Sequence, residues 1–249
     1  MSAAPSRGVA LVTGAGGAIG RACCARLQGD GYQVVGVDLQ PWQQAVPGVQ
    51  FMACDVTEER AVSELVRHVE QQVGPINALV NVAGIVSKGS ALTLPVEEVD
   101  RVLRVNVLGS LIPCQQVAQR MVARGAGSII NVGSVVGKNS GNARPWIDPA
   151  ESENAGNVAY GMSKAAVHSL TGFLARELAH QGVRVNAVAP GPIATSMTDS
   201  FPATLKALVP AGRMGHPDEV AHTVSFLLDE QASFICGEII DINGALWCD

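Results

Sequence analysis

The chain carries little charge, and none of it is concentrated. Charged residues make up 16% of its 249 positions, the formal net charge is −5, and no cluster of Lys or Arg appears anywhere. That pattern argues against a nucleic-acid backbone or an anionic membrane surface as the main partner. No apolar run reaches the roughly 18 residues of a membrane span. Residues 1–8 are short and polar and lead straight into a strand-like run, without the charged flank and apolar length of a signal peptide, so a cytoplasmic location is expected. The six cysteines, Cys23, Cys24, Cys54, Cys114, Cys236 and Cys248, lack metal-ligand spacing. They read as small buried thiols in a reducing compartment, with no metal site. No Pro/Ser-rich linker, internal repeat or low-complexity stretch divides the chain, and one domain over residues 1–249 is expected. What remains as a partner is a small molecule.

What is present is apolar. Hydrophobic residues reach 47%, a balance that suits a parallel sheet buried on both faces by helices, with room for further burial between subunits. Residues 9–13 form a short apolar run that enters a turn at Gly14, Gly16, Gly17 and Gly20 and then a helical pattern through Ala22, Cys23 and Leu27. Strand, glycine turn and helix N-terminus together present free N–H groups and the positive end of a helix, as a pyrophosphate requires. A second strand over 33–37 ends at Asp38. A carboxylate there accepts hydrogen bonds from the hydroxyls of an adenosine ribose and repels a 2′-phosphate, which favours NAD over NADP.

Further strands are expected at 51–54, 77–82, 128–132, 183–189 and 238–242, with helices near 58–73, 96–124, 160–180 and 217–228. Pro113 suggests a kink or break in the long third helix. Strands alternating with helices require right-handed crossovers and a parallel sheet, so all the strand ends share one edge. The fold class is α/β, a doubly wound Rossmann-type domain with a seven-stranded parallel sheet. On the helix after 157, Tyr160 and Lys164 stand four apart and therefore share a face. A nearby ammonium lowers a phenol's pKa from about 10, which makes the pair a candidate for proton transfer.

Taken in order, these residues resemble the short-chain dehydrogenases/reductases along nearly the whole chain. The segment Thr13-Gly14-Ala15-Gly16-Gly17-Ala18-Ile19-Gly20 is similar to the family's cofactor turn, and Asn81-Val82-Ala83-Gly84 to its N-N-A-G motif. Asn106, Ser134, Tyr160 and Lys164 match its catalytic tetrad. The resemblance implies cofactor contacts from Gly14, Gly17, Ala18 and Ile19 in the turn and from Asp38, Asp55 and Val56 after the second and third strands. It adds Asn81, Ala83 and Gly84 after the fourth, and Tyr160 and Lys164 on the helix. Pro190, Gly191, Ile193 and Thr195 would hold the nicotinamide carboxamide.

In the mechanism so implied, Tyr160 exchanges the proton of the substrate oxygen, and Ser134 donates a hydrogen bond to that oxygen. Lys164 lowers the Tyr160 pKa and holds the nicotinamide ribose, while Asn106 binds water through its helix backbone and side chain and forms a proton relay with Lys164. The family also commonly assembles as dimers and tetramers through its long helices, and the face Ala165, Ala166, Ser169 and Phe173 is compatible with a homotetramer.

Three positions depart from the family pattern. Ala18 replaces the middle glycine of the turn, and Val82 replaces the second Asn. Ser134 and Tyr160 stand 26 residues apart, roughly twice the usual separation. The extra length, at about 135–157, reads as a surface loop over the substrate mouth, with Trp146 and Ile147 as candidate substrate contacts; packing on its own protein or on a neighbouring subunit is an equal alternative. A flap at about 192–212 would close the other side.

The expected activity is NAD-dependent hydride transfer between a secondary alcohol and its ketone, with a lean toward oxidation. A 3-oxoacyl thioester reductase, an epimerase or dehydratase of the extended relatives, and a non-catalytic NAD-binding scaffold or regulator are the alternatives.

Overall fold

The computed structural model describes residues 7–42, 45–141, 157–195, 198 and 207–248. Its framework is one sheet of seven parallel strands: β1 (Val9–Thr13), β2 (Gln33–Asp38), β3 (Gln50–Ala53), β4 (Ile76–Asn81), β5 (Gly127–Val132), β6 (Val183–Pro190) and β7 (Ile239–Ile242). The spatial order is β3-β2-β1-β4-β5-β6-β7. The chain therefore winds outward one way from β1 and then restarts at β4, which leaves a crevice beyond the carboxyl ends where the direction reverses.

Alternation along the strands splits the interior in two. Val9 and Leu11 of β1 face one cluster with Val35, Val37, Leu79 and Ile129. Their neighbours Ala10 and Val12 face the other with Val34, Val80 and Ile130. Three long helices cover the first face: α2 (Glu59–Gln72) through Val62, Val66 and Val69, α4 (Gly109–Arg124) through Val117 and Met121, and α6 (Val158–Leu178) through Ala175 and Leu178. The second face is covered by α1 (Ala18–Gly29) and α7 (Pro217–Leu228). Among the described residues the remaining α-helices are α3 (Val96–Leu103) and α5 (Val136–Asn139).

The seven expected strands are all present, their ends moved by a residue at most. Helix α7 occupies its expected span because Pro217 sits at its first turn and His216 and Glu219 form a capping box before it. The expected helix over 96–124 is interrupted, although not at Pro113. The break is a π turn over Arg104–Leu108, and Pro113 lies inside the following helix. Pro113 has no N–H to give the carbonyl four residues earlier, at Gly109, which is the residue that follows the π turn and donates its own N–H to the Arg104 carbonyl.

Four cysteines are buried as expected, whereas Cys236 and Cys248 are exposed. Burial pushes the Cys24 and Cys114 thiols up to about 12, which keeps them protonated and unreactive. Among the described residues no group of His, Cys, Asp or Glu is arranged to hold a metal, and no helix is long and apolar enough to cross a membrane. Trp146 and Ile147 lie outside the described residues, as do most of the 135–157 loop and the middle of the 192–212 flap.

Candidate active site

The glycine turn is built by close approach. Gly14 has φ +62°, and a Cβ there would lie 2.5 Å from the Ala83 backbone nitrogen. At Gly20 a Cβ would lie 2.2 Å from the Gly14 carbonyl oxygen. Helix α1 starts at Ala18 inside the turn, with Gly17 as its N-cap, no side chain capping it and no acid in its first turn. That end offers backbone donors and positive potential, which fits a pyrophosphate. Ala18, in place of the family glycine, is the first residue of this helix, where an Ala is conformationally at ease. Ile19 follows it.

Asp38 ends β2 beside this turn. Its Oδ2 accepts from the Gly16 N–H at 2.9 Å and its Oδ1 from the Leu39 N–H at 2.8 Å. Each carboxylate oxygen has one backbone donor, and a carboxylate accepts about four hydrogen bonds, so two ribose hydroxyls fit the remaining lone pairs. Asp55 accepts from the Thr57 N–H and hydroxyl through Oδ1 at 2.9 and 2.8 Å, closing the turn after β3. Val56 is buried beside it against Gly109.

After β4, Thr13 Oγ1 accepts from the Val82 and Ala83 N–H groups at 3.2 and 3.3 Å, which ties this segment to the glycine turn. Val82 packs into the second apolar cluster, so losing the family's asparagine leaves no hole. Asn81 points its side chain inward, where Nδ2 donates to the Asn131 Oδ1 at 2.9 Å and to the Ser110 carbonyl at 3.4 Å. That amide is part of a core chain that continues from Asn131 Nδ2 to Thr171 Oγ1 at 3.0 Å.

Gly84 joins this rim to the tetrad, since a Cβ on it would lie 3.3 Å from Asn106 Oδ1 and 3.4 Å from Lys164 Nζ. Asn106 sits in the π turn, fully buried. Its Oδ1 accepts from the Ile85 N–H at 2.8 Å, and its Nδ2 donates to the Ile85 carbonyl at 2.9 Å and to Ser163 Oγ at 2.8 Å. The Asn106 carbonyl accepts from Ser110 Oγ at 2.8 Å. Both amide donors therefore serve the protein, and the side chain clamps the segment after β4 to the helix that carries Tyr160. Ser163 continues the clamp by donating to the Tyr160 carbonyl at 2.7 Å.

Lys164 is buried, and its Nζ donates to the Val132 carbonyl at 2.7 Å. The Tyr160 ring centre lies 5.6 Å from that nitrogen. Burial pulls the Lys164 ammonium down to about 8. Burial also raises the Tyr160 phenol above its ordinary 10, and a hydrogen bond with Ser134 opposes the rise. The net direction at Tyr160 is therefore upward, where its spacing from Lys164 suggests a lowering, and desolvation is the larger cause.

Ser134 is buried at the end of β5, with its Oγ 3.4 Å from both the Pro190 carbonyl and the Val136 N–H. The Val135 N–H donates to Pro190 and the Gly191 N–H to the Ile242 carbonyl, which fixes the 190–191 corner across β7. Ile193 is buried in the second cluster and bridges Gly215. At the described end of this segment the Thr195 N–H donates to Thr198 Oγ1 at 3.1 Å.

A doubly wound sheet with a glycine turn, a strand-end acid, a buried Ser and Lys and a half-buried Tyr at one edge defines a nicotinamide-dependent oxidoreductase. The comparisons with known proteins narrow that class. A family model described as Enoyl-(Acyl carrier protein) reductase matches residues 14–246. The (3R)-3-hydroxyacyl-CoA dehydrogenase of Rattus norvegicus is 37% identical over 262 residues, covering 96% of each chain. The 3-oxoacyl-(acyl-carrier-protein) reductase FabG of Thermotoga maritima is 35% identical over 251 residues, covering 96% of this chain and 97% of its own. The crystal structure of gox2181 superposes with a TM-score of 0.87 at 33% identity, covering 97% of this chain and 96% of that one. The chain belongs to the short-chain dehydrogenase/reductase family, whose members bind NAD or NADP.

One residue of the site lies outside the sequence-based set. His168 is buried one helical turn beyond Lys164, and its Nε2 accepts from the Ser134 N–H at 3.3 Å. The Tyr160, Lys164, His168 spacing, four and four, is the signal that could have found it.

Proposed function

We propose that this protein is an NAD-dependent dehydrogenase that interconverts a secondary alcohol and its ketone. The observation that carries the reading is the meeting of Ser134, Tyr160, Lys164 and Gly84 at the sheet edge that Asp38 and the glycine turn also reach. When bound, the nicotinamide accepts or supplies the hydride. Tyr160 exchanges the proton at the substrate oxygen, and Ser134 donates a hydrogen bond to the same atom. In the free chain a raised phenol pKa keeps Tyr160 protonated near neutrality, the form that reduces a carbonyl; oxidation gains from a rise in pH. Lys164 holds a positive charge beside the phenol and the ribose subsite. Asp38 supports NAD by accepting from ribose hydroxyls and repelling a 2′-phosphate.

The curated relatives named above bring a second reading. Both act, by their names, on a 3-hydroxyacyl or 3-oxoacyl thioester, and such a 3-hydroxy group is itself a secondary alcohol. A thioester substrate is therefore the first to try for this site. A homo-oligomer fits the stripe Ala165, Ser169 and Phe173 on α6, whose Phe173 is 74% exposed.

The test is purified protein mixed with NAD or NADP and a panel of secondary alcohols that includes a 3-hydroxyacyl-CoA. The expected result is reduced-nicotinamide absorbance with NAD preferred. Preference for NADP by a wide margin would overturn the Asp38 argument. Cofactor binding without turnover on any alcohol or ketone would favour a non-catalytic scaffold.

A further inference from the structure

Beyond the end of β4, strand β5 loses its neighbour on one side. The β4–β5 pairing stops at Asn81 with Asn131, while on the other side β6 continues to receive the Gly133 and Val135 N–H groups at Val188 and Pro190. In a parallel strand alternate residues direct their backbone groups to opposite sides. The Val132 carbonyl and the Ser134 N–H therefore face the side that β4 has vacated. Buried backbone groups need partners, and α6 supplies both. Lys164 Nζ donates to the Val132 carbonyl at 2.7 Å, and His168 Nε2 accepts from the Ser134 N–H at 3.3 Å. Two side chains one turn apart on a helix stand in for the donor and acceptor of a missing strand residue.

The slot for the imidazole is built on the strand side as well. A Cβ on Gly133 would lie 2.1 Å from His168 Nε2, and one on Gly137 would lie 3.0 Å from His168 Cε1 and 2.8 Å from the Ala165 backbone nitrogen. Neither contact admits a side chain larger than hydrogen without moving the ring. Gly133 and Gly137 bracket Ser134, so the segment that delivers the hydroxyl is wrapped on the ring that holds its N–H.

We propose that His168 is a positioning residue. By accepting from the Ser134 N–H it fixes the Ser134 hydroxyl at the reach of Tyr160, so a single helix sets the proton carrier, the cation and the hydrogen-bond donor in one frame. This rests on the reading of Ser134 as the donor to the substrate oxygen. The position needs an acceptor at the reach of Nε2. Gln supplies one, whereas Leu has none and Asn falls short.

The test compares His168→Leu, His168→Gln and the wild type by two measurements. Amide hydrogen exchange of the cofactor-free protein, followed by NMR, should show the Ser134 amide losing protection in the Leu variant and regaining it in the Gln variant. Steady-state kinetics should show kcat reduced roughly ten- to a hundredfold by Leu, with KM and NADH affinity unchanged, and restored by Gln. If Leu does not fold, His168→Asn takes its place with the same expectation. Ser134 exchange that is unaltered in the Leu or Asn variant overturns the proposal, and so does kcat that is unaltered or lost equally in Gln. A wild-type protein without nicotinamide-dependent turnover would overturn the functional reading instead, and the exchange pattern at Ser134 then decides the role of His168 alone.

Discussion

The Lys164 ammonium is bonded to the Val132 carbonyl, 2.7 Å away, and not to the phenol of Tyr160 on its own helix. This one contact ties the helix that carries the proton-transfer pair to the strand that carries Ser134. It also places a positive charge in a buried setting, where the charged form is penalised. The charge is therefore held at some cost to the fold.

That cost has a pH signature. The Lys164 ammonium titrates near its ordinary 10.5 in the unfolded chain and at about 8 in the folded one. Between those values the unfolded state binds more protons, so this group makes stability rise with pH, by about 3 kcal/mol in total across the window. Other groups contribute slopes of their own, and the difference from Lys164→Met isolates this one. Urea midpoints measured from about pH 7 to pH 10.5 should show the wild type gaining on Lys164→Met throughout. Parallel curves for the two proteins would remove the buried-cation account.

The phenol is expected to ionise late. Tyr160 is raised above 10 by burial and held back by Ser134. Ultraviolet difference titration of wild type against Tyr160→Phe reports Tyr160 alone, since Tyr32 is common to both. It should place the midpoint above 10, and Ser134→Ala should move it higher still. Tyr160→Phe should also lower kcat by roughly 10²- to 10⁴-fold while leaving NADH binding intact. Full activity in that variant would remove Tyr160 from the mechanism.

Asp38 has two tasks that substitution can separate. Its Oδ2 accepts from the Gly16 N–H of the glycine turn, and on the proposed reading its charge would discriminate against a 2′-phosphate. Asp38→Asn keeps an acceptor for Gly16 and loses the charge, so the NADP-to-NAD ratio of kcat/KM should rise on the order of tenfold or more. Asp38→Ala also abandons the Gly16 N–H and should weaken both cofactors. An unchanged ratio in Asp38→Asn would place the discrimination elsewhere.

The frame of this molecule is written in local signals, and the finer joints of the site are not. Apolar runs such as residues 9–13 declare strands, and Pro217 with His216 and Glu219 declares a helix start. The π turn at Arg104–Leu108 adds a single residue to one turn, which a 3.6-residue period does not reveal. Spacing pairs Lys164 with Tyr160, yet its hydrogen-bond partner is the Val132 carbonyl, and carbonyls leave no mark in a sequence. The inward amide of Asn81 depends on Asn131, 50 positions later. His168 sat in plain view at helical spacing from Lys164. Its role shows only once Gly133 and Gly137 are seen to make room for the ring.

Asn106 gives the sharpest contrast between a clamp and a water site. Its amide bonds both the N–H and the carbonyl of Ile85 and also Ser163 Oγ. Removing it leaves partly buried backbone groups without partners, each worth about 1–3 kcal/mol. Asn106→Ala should therefore lower stability by about 2 kcal/mol or more, measured as a shift in the urea midpoint at constant slope. Asn106→Asp keeps the acceptor for the Ile85 N–H and loses both donors, so it should be no better than Ala at neutral pH, where a buried carboxylate adds its own desolvation. A residue that only held a water would leave the midpoint of Asn106→Ala where it was and alter kcat alone. The π turn favours the clamp, because the widened turn is what lets Asn106 reach the segment after β4 and helix α6 at once.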